Sequence, residues 1–393
     1  MTVTSRLRSL AGHAGLLVGG LLIAALLAEA VIRMTAPQRL ESHRPIYVAD
    51  SLLVYRLKQN YDASYHQPEF SIHEQTNDLG LRNDPVGPKR PGVTRILGLG
   101  DSFCYSNSVQ LRETFFKQLE DREREHSGRE IEVINAAVPA YSTVQEYLYL
   151  RRDGMKLDPD VVVLGFYVGN DFQDSYELFD STGLPTVDVV DGELRANDRF
   201  PAARYEQQER VLRTATLSLR SFLASNSALY VFLRERFGEV LWKAGLRNNP
   251  PPPDFCARVP SPAMRAGWAM TRSVLDSMAA LCSAQNVRFL IVVLPTQYQV
   301  HPDLWTHHFT TFGLDPADYD LDRPQRLMRE YCEEKGIDHV DVLPVMRAHA
   351  ASGHLFYPIA SYMTPAGHRL VAEAVYAHLR AAPRAGKALV EYR

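Results

Sequence analysis

Apolar positions along this chain fall into three textures, and each predicts a different kind of element. From about Ala14 to Ala28, and again at Ala30, Val31 and Ile32 beyond Glu29, the run is nearly unbroken. At roughly twenty residues it is long enough to cross a hydrocarbon core. Residues 35–93 mix short apolar runs, Ile46-Tyr47-Val48 and Leu52-Leu53-Val54-Tyr55, with turn signals at Asn77-Asp78 and Asp84-Pro85. That mixture predicts an irregular extended lead-in with a few strands. From Thr94 apolar strands at 95–99, 131–136, 160–168, 287–294 and 338–343 alternate with helix-like stretches at 111–126, 142–156, 262–285 and 324–335. Such alternation predicts an α/β fold, a parallel sheet covered on both faces, over residues 94–385. A last helix over about 365–380 begins with Pro365 near its first turn, where proline is favoured.

Between Asp171 and Pro260 the alternation stops, which marks an insertion at 173–261. It comprises a polar, aspartate-rich loop, an amphipathic helical stretch from Val211 to Phe237 and the proline cluster Pro250 to Pro253. Its apolar residues Leu212, Leu217, Leu219, Phe222, Leu223, Leu229 and Phe232 are first expected to pack on the domain. A substrate lid and contact with a membrane surface are the alternatives.

Charge gives the apolar N-terminus a direction. Arg6 and Arg8 precede it, so segment 1–34 reads as a cytoplasmic tip and membrane anchor with the bulk of the chain exported. A cleaved signal peptide is the alternative, because Ala28-Glu29-Ala30 fits the small-x-small cleavage pattern. The remaining composition, 46% apolar and 23% charged over 393 residues, is that of a globular protein with a full core. A net charge of -3 and no basic stripe interleaved with aromatics argue against nucleic acid as a partner. Four scattered cysteines, Cys104, Cys256, Cys282 and Cys332, make neither a disulfide scaffold nor a zinc site, although export would let some pair.

Ligands of open α/β sheets bind beyond the carboxyl ends of the strands, so the residues that follow each strand carry the chemistry. Strand 95–99 delivers Gly100-Asp101-Ser102, strand 131–136 delivers Val138-Pro139-Ala140-Tyr141, strand 160–168 delivers Gly169-Asn170-Asp171, and strand 287–294 delivers Pro295-Thr296-Gln297. A serine at a helix start can attack a carbonyl while a main-chain N–H and a side-chain amide stabilise the oxyanion. Ser102 as nucleophile, with the Ala140 N–H and the Asn170 amide as donors, is that arrangement. No cofactor or metal is expected. Gly98-Leu99-Gly100 lacks the third glycine of a dinucleotide loop, there is no Walker sequence, and His307-His308 has no partner at metal-ligand spacing. Nor does a Gly-x-Ser-x-Gly elbow surround Ser102.

These blocks resemble the SGNH (GDSL-like) hydrolase family, particularly its membrane-anchored bacterial members. Gly100-Asp101-Ser102-Phe103 is similar to the nucleophile block, Asn135 to Thr143 to the second block, Gly169-Asn170-Asp171 to the third, and Pro365-Ala366-Gly367-His368 to the tail of the fifth. The lead-in Asn77-Asp78-Leu79-Gly80-Leu81-Arg82 also resembles the segment before the nucleophile strand. The resemblance implies a flavodoxin-like three-layer sandwich and hydrolysis or transfer of an ester-linked acyl group, often on a carbohydrate. An acylated carbohydrate or other polar ester is therefore the expected partner, with the membrane as the second.

The departures from that pattern are equally specific. The family has glycine at the positions of Ala137 and Ala140, and its last block reads Asp-Gly-His where this chain has Ala360, Ser361 and Tyr362. The orienting acid and the catalytic base thus stand as alanine and tyrosine, and a serine hydroxyl without a base is a weak nucleophile. His368, His301 and His354 are the candidates for a relocated base, and Asp341 for its orienting acid. The alternative is a protein of the same fold that keeps the cleft without the chemistry, a binding or assembly subunit in surface polysaccharide biosynthesis.

Overall fold

A computed structural model describes residues 3–38, 40, 46–127, 130–172, 187–190, 193–196, 219–243, 254–312, 314–358 and 360–381. Of the insertion's apolar residues, Leu212 and Leu217 lie outside the described residues. The chain divides into two compact units: Met1–Pro45 with Tyr65–Phe70 and Arg213–Pro250, and the remainder.

The larger unit is built on five parallel strands. β5 (Thr94–Gly100), β6 (Ile131–Asn135), β7 (Val161–Tyr167), β10 (Arg288–Leu294) and β11 (Asp338–Asp341) follow one another along the chain and lie in the order β11-β10-β7-β5-β6. Counted from the first, this is 2-1-3-4-5, the flavodoxin-like order, whose direction reverses between the first and third strands. Register confirms that the two meet: Ile96 lies opposite Val161 and Gly100 opposite Gly165. Residues of β7 and β10 are buried on both faces of the sheet, which is why these strands read as continuous apolar runs rather than alternating ones.

Two helical layers cover the sheet. Phe115–Ser127 and Pro365–Ala381 lie together on one face, tied by Arg122 to Glu373 and by Arg380 to Glu123. Thr143–Arg152, Pro262–Ala284 and Arg323–Lys335 form the other, where Tyr331 donates to Asp276 and Lys335 pairs with it. Three-layer α/β architecture is therefore what the strand–helix alternation builds. The short helices Gln297–Val300, Pro302–Phe312 and Leu343–His349 follow β10 and β11 in stretches that the sequence left without an element.

The stretch read as an irregular lead-in is more ordered than its sequence suggests. β1 (Tyr47–Asp50) pairs antiparallel with β2 (Val54–Leu57), and β3 (Asp62–His66) with β4 (Ser71–Gln75). Leu52 and Leu53 are in the turn rather than a strand, their N–H groups bonded to Asp50 Oδ1 at 2.9 and 2.8 Å. β8 (Val187–Val190) and β9 (Glu193–Ala196) make a third small ribbon.

The smaller unit holds the N-terminal helix Val3–Thr35 and the helices Leu219–Asn226 and Ala228–Lys243. Gly15–Thr35 is 21 residues of mean hydropathy 2.4 with none of it buried, long and apolar enough to cross a membrane. Its one acidic residue is satisfied by another helix. Glu29 accepts from Ser227 Oγ and from the N–H groups of Ala228 and Leu229, each at 2.8 Å, and from Arg33 Nε at 2.6 Å. Arg33 in turn donates to the Asn226 carbonyl at 2.8 Å.

Candidate active site

Ser102 follows β5 at the reversal point of the sheet and opens the short helix Ser102–Tyr105. Two glycines make this entry possible. Gly100 has φ 146°, and a Cβ there would meet Cys104 Sγ at 2.3 Å; one on Gly165 of β7 would meet the same sulfur at 2.1 Å. Cys104 thus fills the groove between the two strands, its Sγ 3.5 Å from the Gly165 carbonyl. Burial pushes its thiol well above the usual range, so it is a packing group rather than a nucleophile. All four cysteines are buried free thiols, and the pairing that export would permit is not made.

Asp101 caps the helix by accepting from the Phe103 N–H at 2.8 Å. Its carboxylate also accepts from Asn170 Nδ2 at 3.4 Å. Burial pushes the Asp101 carboxyl up to about 6 against the pull of these donors. The structure therefore brings Asn170, 69 positions away in sequence, to the Asp101-Ser102 pair. Asp171 next to it closes the turn, accepting from the Tyr167 N–H at 2.7 Å.

The block after β6 folds back over the end of β5, with Ala136 N–H bonded to the Gly98 carbonyl at 2.8 Å and Val138 N–H to the Gly100 carbonyl at 3.1 Å. Ala140 is exposed with φ 61°, the left-handed conformation that glycine adopts freely. The loop is held there from the lead-in: Tyr55 donates to the Pro139 carbonyl at 2.9 Å and Tyr141 to the Tyr55 carbonyl at 2.6 Å.

The Tyr357–His368 segment also arrives beside the loop that follows Ser102. Asn107 Nδ2 donates to the Tyr362 hydroxyl at 3.1 Å, and Ser108 Oγ to the Met363 carbonyl at 2.7 Å. The Tyr362 ring lies 5.3 Å from that of Phe103, which stacks on Tyr167 at 3.5 Å. Ser361, at the expected glycine position, has φ 60° and its Oγ accepts from Gln297 Nε2 at 2.6 Å. Both Ala140 and Ser361 thus keep a glycine-like backbone although the residue has changed.

Among the described residues none of the histidines considered as a base hydrogen-bonds Ser102. His368 is 1% exposed, stacks on Phe115 at 6.0 Å and has no partner for Nδ1. Burial and the nearby Arg82 push it down to about 3, which makes it a neutral core residue. His301 ends the helix Gln297–Val300 and lies 6.3 Å from Phe356, while the exposed His354 contributes its carbonyl to Thr364 Oγ1 at 2.6 Å. Asp341 accepts from the Leu343 N–H at 2.9 Å, at the start of the helix Leu343–His349.

Some site residues carried no sequence signal. Asn107 and Tyr167 sit in runs whose pattern speaks only of a helix end and a strand. Arg82 was legible as part of a motif but not by its task. It is fully buried and donates to the carbonyls of Tyr105, Ser106 and Val109 at 2.9, 2.6 and 2.6 Å, tying down the segment behind Ser102.

Residues 257–391 match the family model described as the SGNH hydrolase-like domain of acetyltransferase AlgX. No curated protein sequence matches the chain. Among solved structures, the chain is similar to a putative lipolytic protein of the G-D-S-L family from Desulfitobacterium hafniense, at 12% identity over 72% of this chain and 99% of that one, TM-score 0.36. It is also similar to a catalytic mutant of an acetylxylan esterase from Geobacillus stearothermophilus, at 12% identity over 76% and 97%, TM-score 0.37. The family match spans the helix Pro262–Ala284, β10, β11 and the last helix, the same part of the domain that carries Ala360 and Tyr362 to the nucleophile loop. Residues 257–391 are thus similar to an SGNH hydrolase-like domain.

Proposed function

We propose that this protein is a membrane-anchored, extracytoplasmic acyltransferase or esterase acting on an ester-linked acyl group of a polar substrate such as a glycan, with Ser102 as nucleophile. The observation that carries the reading is the Asn170 amide on Asp101, next to Ser102 at the sheet's reversal point, with Ala140 exposed and left-handed on the loop after β6. Ser102 Oγ attacks the acyl carbonyl and its proton passes to the Asp101 carboxylate, the buried group of the preceding residue. The Ala140 N–H and the Asn170 amide are the donors assigned to the developing oxyanion in this reading. Collapse returns the proton to the leaving alkoxide, and water or an acceptor hydroxyl then takes the acyl group from the serine. The anchor is favoured over a cleaved leader because cleavage at Ala28-Glu29-Ala30 would remove the Glu29 carboxylate that caps the helix Ala228–Lys243.

A second reading, a binding subunit of the same fold, is favoured by one observation: Tyr362 stands at the base position with its hydroxyl already held by Asn107. Labelling with a fluorophosphonate probe separates the two. The full chain is expected to label and Ser102→Ala not to, while His368→Ala leaves labelling intact in whatever fraction folds. Labelling that is absent, or unaffected by Ser102→Ala, would sink the enzyme reading. Introducing Tyr362→His with Ala360→Asp is expected to raise turnover of a small acyl ester, and no gain would count against the alignment of the last block.

A further inference from the structure

Glu29 is an acid inside an otherwise apolar run, and a carboxylate at membrane depth is costly unless partnered. Its partners are the first N–H groups of a second helix, the Ser227 hydroxyl and Arg33, so the Asn226-Ser227 junction between Leu219–Asn226 and Ala228–Lys243 is clamped onto the last third of the span. One helical turn separates Glu29 from Arg33, about 6 Å along the axis. With Arg33 at the outer end of the apolar run, the clamp lies just inside the boundary between acyl chains and headgroups.

The two clamped helices are sided. Ala224, Ala228 and Val231 are buried, whereas Phe222, Leu233 and Phe237 are 59%, 42% and 46% exposed. Leu233 and Phe237 are one turn apart and share a face. Arg234 lies back over Tyr230 at 5.8 Å and Arg236 over Phe232 at 5.3 Å, ring and cation together as in side chains that keep an apolar stem in lipid and a charged head in water. We infer that Leu219–Asn226 and Ala228–Lys243 form a second membrane element, held by the Glu29 clamp with Phe222, Leu233 and Phe237 in the outer leaflet's interfacial zone. The occupant of the exposed apolar face is lipid, because the clamp ties these helices to the span at a depth where the neighbouring solvent is lipid. This rests on the reading of Gly15–Thr35 as a retained span and extends it from an anchor to an orienting device. Of the sequence alternatives for this stretch, it selects contact with the membrane.

The test is spin-label accessibility in the full chain reconstituted into phosphatidylcholine/phosphatidylglycerol vesicles. Labels are placed singly through Phe222→Cys, Leu233→Cys, Phe237→Cys and, within the span, Leu22→Cys; the four natural cysteines are buried and stay unlabelled. At the first three sites collisions with oxygen are expected to exceed those with a water-soluble nickel complex, at a depth of roughly 5–10 Å, with the Leu22 site deeper. Nickel-dominated collisions at all three sites with an oxygen-dominated Leu22 site would overturn the inference and leave the anchor standing. Nickel-dominated collisions at the Leu22 site as well would overturn both. In a Glu29→Ala background the three labels are expected to become nickel-accessible while the Leu22 site does not move; unchanged labels would overturn the clamp.

Discussion

Ala140 and Ser361, at φ 61° and 60°, hold a backbone that disfavours any residue with a Cβ by roughly 1 kcal/mol or more. Strain of that kind persists only where the surroundings over-determine it. Here Tyr55 and Tyr141 pin the Ala140 loop, and Gln297 pins Ser361. Ala140→Gly and Ser361→Gly are each expected to stabilise the protein by up to ~1 kcal/mol in urea unfolding, less the entropy glycine adds to the unfolded chain. A loss of stability in both would mean that these backbones are relaxed. Asp101 carries a second expectation at this scale. Because burial raises its carboxyl to about 6, the acceptor proposed for Ser102 is ionised above that pH and protonated below it. Ser102-dependent ester turnover should therefore fall as pH drops through about 6, and Asp101→Asn should remove the limb with the activity. A pH profile flat from 5 to 8, which spans roughly the range over which such a group titrates, would assign the base elsewhere.

Elements hold the site through contacts made across long sequence separations. Arg82, just after β4, donates to three carbonyls behind Ser102, and Tyr105 donates to Glu74 of β4 at 2.6 Å. Arg82→Met takes a charged donor from each of these buried carbonyls, a loss of roughly 3–5 kcal/mol. Amide hydrogen exchange should accelerate first in residues 102–109; equal acceleration throughout the sheet would show that Arg82 supports the fold and not the loop. Hydrophobic period located the five strands to within one or two residues, since each is a buried run bounded by polar turns. It did not find Gln297–Val300 or Leu343–His349, which are too short to show a repeat. The insertion's amphipathic stretch reads as one helix but breaks at Ser227, where Glu29 and the Ser227 hydroxyl cap a new start.

For the molecule as a whole, His368 couples folding to pH. It is neutral when folded, pushed down to about 3 from an ordinary 6.5, so between those values the unfolded chain binds a proton that the folded one does not. Its contribution is complete above about 6.5 and is lost progressively as pH falls toward 3, by at most about 1.4 kcal/mol per pH unit. His368→Leu should flatten that part of the stability profile; an unchanged slope would place the titration in other groups. The amino-acid sequence by itself determined the strand–helix alternation, the apolar N-terminal span and the Gly-Asp-Ser block, because hydrophobic period and turn chemistry are local properties. That Ala360 and Tyr362 stand where the resembling family carries its acid and base is what that resemblance implies, aligned on Thr364-Pro365-Ala366-Gly367-His368. Only the tertiary structure decided what surrounds Ser102: that Asn170 reaches Asp101, that Tyr362 is held by Asn107, and that His368 is shut in the core. Those are pairings between groups tens to hundreds of positions apart, set by sheet order and side-chain packing, and no periodicity along the chain encodes them.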